Sequence, residues 1–271
     1  EVWLMKVISM YFSPTGGTKK IGEVIGEELA KQLSAEKVTY DFTLSDQRKV
    51  SYAFEPSDIV VFGTPTIAGR VPNVLLKFLD TLDGHGAISI PYVCYGNRNY
   101  DDALIELGDI LTAKGFENIA CGAFIAEHSF SRILAAGRPD EKDLEEVKDF
   151  AAKIAEKIKN GERGIELPGN RPYRAYYKPI GHDGKPADIR KVTPKVNKEL
   201  CIDCKVCAQV CPMGSIDYDD VTTMVGICIK CGACEKKCPT GAIFYDDPNY
   251  IKHRGELEED YPMRKENLIC L

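Results

Sequence analysis

The chain carries eleven cysteines, and eight of them fall between Cys201 and Cys238. Its N-terminus has no basic stretch leading into an apolar one, so no secretion signal is expected. Thiols clustered in such a chain point to metal ligation in a reducing, cytoplasmic setting and away from a disulfide framework. Set one above the other, CIDCKVCAQVCPMGSI (201–216) and CIKCGACEKKCPTGAI (228–243) form an internal repeat at an offset of 27. All four Cys, the Ile after the first Cys, the Pro, the Gly and the last Ile coincide. Three thiolates two residues apart wrap a tight loop around one corner of an iron–sulfur cube, and the loop amides can then aim at its sulfurs. A fourth thiolate stands where the chain leaves, and Pro212 or Pro239 turns it away. Small residues (Ala208, Gly214, Gly232, Ala233, Gly241, Ala242) leave a dry shell that helps set the potential of an anionic cluster. Ile216 and Ile243 are suited to filling the space between two clusters. Structural zinc sites use C-x2-C pairs, but have no need of a third Cys and a Cys-Pro repeated twice.

A second constellation lies near the start. The apolar stretch 5–12 runs into SPTGGT (13–18), and a helical pattern follows from Lys19. A strand, a short Ser/Thr/Gly loop and a helix N-terminus make an anion site. The hydroxyls of Ser13, Thr15 and Thr18 and the amides of Thr15 to Thr18 suit a phosphate monoester. Gly16 and Gly17 let the backbone approach closely. No Gly-Lys-Ser/Thr follows, and the loop lacks the dinucleotide fingerprint, so neither of those phosphate sites is expected. The alternative is a glycine-rich turn with an N-cap and no ligand.

The elements that must position these groups are legible in the hydrophobic pattern. Stretches 5–12, 38–42, 58–63, 88–95 and 119–126 read as strands. Helical faces are marked by Ile21, Val24, Ile25, Leu29 and Leu33, and by Leu75, Phe78, Leu79 and Leu82. Two more are marked by Leu104, Leu107 and Leu111, and by Leu144, Val147, Ala151, Ile154 and Ile158. Strands alternating with crossover helices predict an α/β fold, a five-stranded doubly wound parallel sheet. The 44–57 crossover reads as largely irregular. Ligands of such a sheet lie beyond the carboxyl ends of the strands. There, GTPTIAGRVP (63–72) and YGNRNYDDA (95–103) join the 13–18 loop on one edge.

Charge divides the chain into three blocks of −6 (1–160), +4 (161–195) and −4 (196–271), for a net −6. The middle block is rich in Pro, Gly and Tyr and reads as an ordered basic linker. The acidic balance argues against nucleic acid as a partner, and no apolar run is long enough for membrane insertion. Acidic residues Glu256, Glu258, Glu259 and Asp260 make 247–271 read as a solvated tail with Cys270 an idle thiol. Cys94 and Cys121 read as buried packing residues.

The repeat resembles the bacterial ferredoxin run C-x2-C-x2-C-x3-C-P, in which the fourth Cys serves the other cluster. That resemblance implies a small α+β two-cluster ferredoxin domain at 196–246, with two [4Fe–4S] clusters. It assigns Cys201, Cys204, Cys207 and Cys238 to cluster one, and Cys228, Cys231, Cys234 and Cys211 to cluster two. Residues 1–160 resemble the flavodoxin family, whose FMN site is built from three loops in this order. SPTGGT matches that family's T/S-x-T-G-x-T phosphate loop. The resemblance implies FMN contacts from Ser13, Thr15, Gly16, Gly17 and Thr18, from Thr64, Pro65, Thr66, Ile67, Ala68 and Gly69, and from Tyr95, Gly96, Asn97, Arg98 and Tyr100. The sequence departs from the family in one respect: the 63–72 loop has Ile67 where many flavodoxins have an aromatic. Arg70 and Arg98 read either as flavin neighbours or as salt-bridge partners, and Asp101 and Asp102 as helix caps. His128, Ser129 and Phe130 read as loop packing or as site residues. The whole is similar to flavodoxin–ferredoxin fusion proteins. It implies a soluble low-potential electron carrier serving other redox proteins, with no catalytic residue of its own and homo-oligomerisation left open. The alternatives are a flavin-dependent reductase of a small acceptor, wired by the clusters, and a subunit of a larger redox complex.

Overall fold

Five apolar stretches form the parallel strands β1 (Lys6–Tyr11), β2 (Glu36–Asp41), β3 (Ile59–Pro65), β4 (Ile88–Tyr95) and, as the sixth strand in chain order, β6 (Cys121–Ile125). This computed structural model describes residues 5–271, so the first four residues of the expected N-terminal domain lie outside the described residues. The strand order β2-β1-β3-β4-β6 is the flavodoxin-like doubly wound arrangement, which reverses beside β1. The expected fifth strand is broken. β5 (Glu117–Asn118) pairs with Ile88 and Ser89, and β6 resumes at Gly122 opposite Tyr92, one residue out of step. One extra residue therefore sits at 119–120, as in a β-bulge.

Helices cover both faces. α1 (Gly17–Leu33) and α4 (Glu141–Lys159) lie together on one side. They bury Ile21, Ile25, Leu29, Val147, Phe150 and Ile154 against Val7, Val61 and Ile90. α3 (Ala103–Ala113) covers the other side, where Leu104, Leu107 and Leu111 share a core with Ile8, Met10, Val60 and Phe62. Each such fully buried side chain contributes roughly 1.5–3 kcal/mol. The second predicted helical face is smaller than its pattern suggests, since α2 spans only Leu76–Leu79 behind a 3-10 turn at Asn73–Leu75. The 44–57 crossover holds one 3-10 turn at Ser45–Arg48 and is otherwise irregular. α4 starts with a capping box in which Asp140 and Asp143 each accept the other's backbone N–H.

The second half contains β7 (Lys195–Val196), α5 (Val206–Gln209), α6 (Ala233–Lys237) and β8 (Ile243–Phe244), with β7 and β8 antiparallel. The last 25 residues are not a solvated tail. They form α7 (Pro248–Asp260) and β9 (Leu268–Cys270), and β9 adds antiparallel to β6 at the edge of the first half's sheet. Cys270 is half-buried in this strand and pairs in register with Cys121. The reason lies in buried polar partners that a charge count cannot show. The buried Arg138 donates to Asp143 at 2.9 Å and to the Lys265 carbonyl at 2.8 Å. Asn267 donates to Glu146 and accepts the Ile125 N–H at 2.9 Å.

Candidate functional site

The phosphate-type loop is built as a frame with free donors inside. Phe12 N–H donates to Gly63 O, which carries β1 across to β3. Ser13 N–H donates to Thr43 Oγ1 at 2.8 Å, while Ser13 Oγ accepts the Lys19 N–H at 2.8 Å. The Ser13 hydroxyl is thereby tied to the first turn of the helix. Gly16, at the N-cap of α1, has φ +102 and no side chain to cap with, and no acceptor among the described residues takes the amides of Thr15, Gly16, Gly17 or Thr18. A helix of 17 residues thus ends in unpaired N–H groups, where its dipole favours an anion.

The other two loops meet beside it. Ile67–Arg70 closes as a tight turn with reciprocal bonds of 3.0 and 3.1 Å, and Ala68 and Gly69 both take positive φ. That geometry is why a glycine stands at 69. Thr66 N–H donates to Cys94 O, and Asp102 N–H to Gly69 O, which bind the second loop to the third. Three side-chain atoms are buried here without a partner: Thr64 Oγ1, Thr66 Oγ1 and Asn97 Oδ1. Each orphaned group costs about 1–3 kcal/mol. They fit the polar edge of a bound heteroaromatic ring, and with the free amides of 15–18 they suit a flavin mononucleotide. Tyr95 and Tyr100 pack edge to face, with centroids 5.5 Å apart.

Several neighbouring residues are engaged elsewhere. Arg70 makes a bidentate pair with the buried Glu106, at 2.7 Å on each arm, and Arg98 pairs with Asp101. Asp102 occupies the cap position of α3 but makes no capping bond; it accepts from the Asn170 and Arg174 amides at 3.1 and 2.7 Å. Those two amides lie in the linker, which is strapped over the loops. Tyr177 N–H donates to Ala68 O at 2.9 Å, and the Arg98 guanidinium lies 4.3 Å from the Tyr177 ring centroid. Arg70 is stacked on Tyr173 and Tyr176. The C-terminal segment closes the other side, with Asn97 Nδ2 donating to the carbonyls of Tyr261 and Met263. Sequence reasoning missed these straps because the linker and tail carry no periodicity; the density of Tyr and Arg in 170–177 was the available signal.

The repeat is reproduced in backbone geometry. Asp203 and Lys230, Lys205 and Gly232, and Gly214 and Gly241 all take positive φ at the same places in each half. Amides point at sulfurs in both halves: Ser215 N–H at Cys211 Sγ and Ala242 N–H at Cys238 Sγ, each 3.3 Å, and Lys230 N–H at Cys228 Sγ, 3.4 Å. Such donors stabilise thiolate ligands. Cys211, Cys228, Cys231 and Cys234 line one cavity, with Ile216 and Met224. Cys201 lines a separate polar cleft with Asp203 and Asp219. Ile216 and Ile243 are buried among Cys207, Cys234, Cys211 and Cys238. This donor set, thiolates with N–H partners in an apolar cage, fits an iron–sulfur cluster.

The cavity of the second set faces the first half. Arg48 Nη2 donates to Pro212 O at 2.6 Å, Arg132 to Glu235 O at 2.9 Å, and Lys236 to Ser131 O at 2.7 Å and to the Glu127 carboxylate. His128, Ser129 and Phe130 belong to this contact. Phe130 packs 4.6 Å from Tyr250, which stacks 4.4 Å from Tyr245, whose hydroxyl is 3.9 Å from Cys228 Sγ. His128 lies under Phe130, and burial, with His253, Lys236 and Arg98 nearby, pushes its pKa down to about 3.

Residues 200–243 match the family described as 4Fe-4S dicluster domain. This stretch is a dicluster iron–sulfur domain. Among solved structures, a flavodoxin from the domain Archaea is 20% identical over 58% of this chain and 99% of its own, with a TM-score of 0.41. A flavodoxin from Streptococcus pneumonia TIGR4 is 22% identical over 56% of this chain and 99% of its own, TM-score 0.40. Rubredoxin oxygen:oxidoreductase from Desulfovibrio gigas is 19% identical over 57% of this chain and 36% of its own, TM-score 0.42. No match was found among curated proteins. Among the described residues, no helix is long and apolar enough to cross a membrane.

Proposed function

We propose that the chain is an electron-transfer flavoprotein in which an FMN-binding half and the dicluster domain work as one unit, exchanging electrons with other redox proteins. The observation that carries this is the docking of the Cys211/228/231/234 cavity onto the sheet edge that bears all three loops. Bound FMN and [4Fe–4S] groups supply one- and two-electron exchange. The chain's own residues do the rest. The amides of Thr15 to Thr18 receive the phosphate, and Thr64, Thr66 and Asn97 hydrogen-bond the ring edge. Cys201, Cys204, Cys207 and Cys238 hold one cluster and Cys211, Cys228, Cys231 and Cys234 the other. Arg48, Arg132 and Lys236 fix the spacing between the halves.

A reductase of small acceptors would need an open edge beside Ile67, Gly69 and Arg70. The linker lies there, through the Tyr177–Ala68 bond and the Arg70 Nη1 bond to Arg174 O at 2.8 Å, which favours the carrier reading. The test is purification without oxygen, followed by iron, sulfide and flavin counts and an absorption spectrum. Two clusters and one FMN per chain are expected. Clusters without flavin, even after FMN is added, would overturn the flavoprotein reading.

A further inference from the structure

The two halves of the cysteine repeat have the same backbone but different surroundings. Around the ligand set Cys211, Cys228, Cys231 and Cys234 the chain is covered at positions whose counterparts around Cys201, Cys204, Cys207 and Cys238 are bare. Ile229 packs against the core of the first half, whereas its counterpart Ile202 is 65% exposed. Gly232 leaves no room for a Cβ, which would stand 2.4 Å from Ser129 O; its counterpart Lys205 takes the same left-handed backbone and has room for a whole side chain. Pro212, which accepts from Arg48, is buried, and its counterpart Pro239 is exposed. Cys204 is exposed while Cys231 is half-buried. The face around Cys201, Cys204 and Cys207 is thus a second copy of a docking face whose other copy is already occupied.

Charge says what the free copy takes. On the occupied face Lys236 pairs with Glu127 of the first half, and Lys230 reaches the basic linker at Arg190 O. At the matching positions the free face has Asp203 and Gln209. Glu199, Leu200 and Ile202 are exposed, and the exposed Asp203, Asp219 and Asp220 line a cleft with Cys201 and Lys198. Lys205 is tied to Asp203 at 2.8 Å and to the Asp219 carbonyl at 3.0 Å. We infer that this face, an exposed Ile202 and Leu200 rimmed by carboxylates beside Cys201 and Cys204, is the docking site of an external redox protein with a basic rim. The inference rests on the electron-transfer reading above. A second copy of this chain is a poor occupant, because each copy is acidic.

Cytochrome c, a basic one-electron acceptor, serves as the probe. One electron leaves the reduced protein and converts ferric haem to ferrous, with no proton required. Glu199→Lys/Asp219→Lys, two side chains that hold no cluster, is compared with Glu145→Lys on the outer face of α4. The double variant should slow cytochrome c reduction about tenfold at low salt, with the gap closing as salt rises, while Glu145→Lys leaves the rate near that of the unaltered protein. Ile202→Gln, with iron content checked, should weaken docking and leave the salt dependence unchanged. Glu145→Lys changes the net charge by half as much, so about threefold slowing by it would mean that net charge alone matters, and would overturn the inference. So would an unchanged rate in the double variant, or a dimer in sedimentation that Ile202→Gln abolishes. A protein that holds iron but no flavin would refute the flavoprotein reading and leave this comparison of rates intact.

Discussion

Replacing Gly232 with Ala separates the docking of the two halves from the folding of either. Gly232 holds φ +73, and an added Cβ would lie 2.4 Å from the Ser129 carbonyl oxygen, a backbone atom that cannot swing aside. A Cβ-bearing residue in left-handed backbone costs about 1–2 kcal/mol, and relieving an overlap of this kind costs roughly 1–3 kcal/mol more. Gly241→Ala is the internal control. It has φ +67 with nothing within 4 Å, so it carries the first cost without the second. The difference between the two variants, about 2 kcal/mol, reports the contact between the halves and corresponds to a ~30-fold change in the ratio of open to docked forms. Hydrogen exchange reads it directly. The amides of His128, Ser131 and Leu134 bond within the 127–134 loop, which Lys236 and Arg132 pin to or from the second half. Where exchange proceeds through opening, these amides should exchange ~30-fold faster in Gly232→Ala than in Gly241→Ala, while those of β3 and β4 do not change. Equal exchange in the two variants, at equal iron content, would refute the docked arrangement.

Other outcomes follow from the same contacts. Cys211→Ser and Cys238→Ser should each remove one cluster, so that iron analysis reads about half of the parent value; full loss of iron in both would show the sites to be inseparable. Thr64→Val should have opposite effects on two states: the FMN-free protein gains about 1 kcal/mol by losing an orphaned hydroxyl, while FMN binding by fluorescence titration weakens. A parallel change in both would exclude a ring contact at Thr64. His128, with its pKa down to about 3 in the folded chain, takes up a proton on unfolding between about pH 3 and 6.5. Its contribution to stability is therefore full above pH 6.5 and falls toward pH 3, by up to about 1.4 kcal/mol per pH unit. Denaturant melts of His128→Gln between pH 7 and 5 should have the shallower slope; identical slopes would exclude this residue as the source.

Local pattern made the chemistry and the first fold legible. Cys201 to Cys238 repeat at a fixed offset because a cluster loop needs its ligands at fixed separations along the chain. The strands β1, β3 and β4 read as apolar runs because both of their faces are covered. SPTGGT was legible for a similar reason, since a helix N-terminus and its loop are contiguous in sequence. The breaks in the pattern lay where tertiary pairing decided the outcome. The extra residue at 119–120 is visible only against the register of β4. The 247–271 segment reads as polar, yet Asn267, Arg264 and Lys265 find buried or carboxylate partners more than 100 residues away, and β9 gains an edge to pair with. Arg70 and Arg98 were equally suited to a ligand or an ion pair, and only the approach of Glu106 and Asp101 distinguished the two.

Which groups this protein can hold is written locally, because ligand spacing and loop chemistry are properties of a few consecutive residues. The sequence could not determine which half of a symmetric repeat is covered. Ile202 and Ile229 are the same residue in the same local motif, and only the folded chain buries one against the first half and leaves the other in water. Burial depends on what arrives from elsewhere in the chain, and that is decided by tertiary packing.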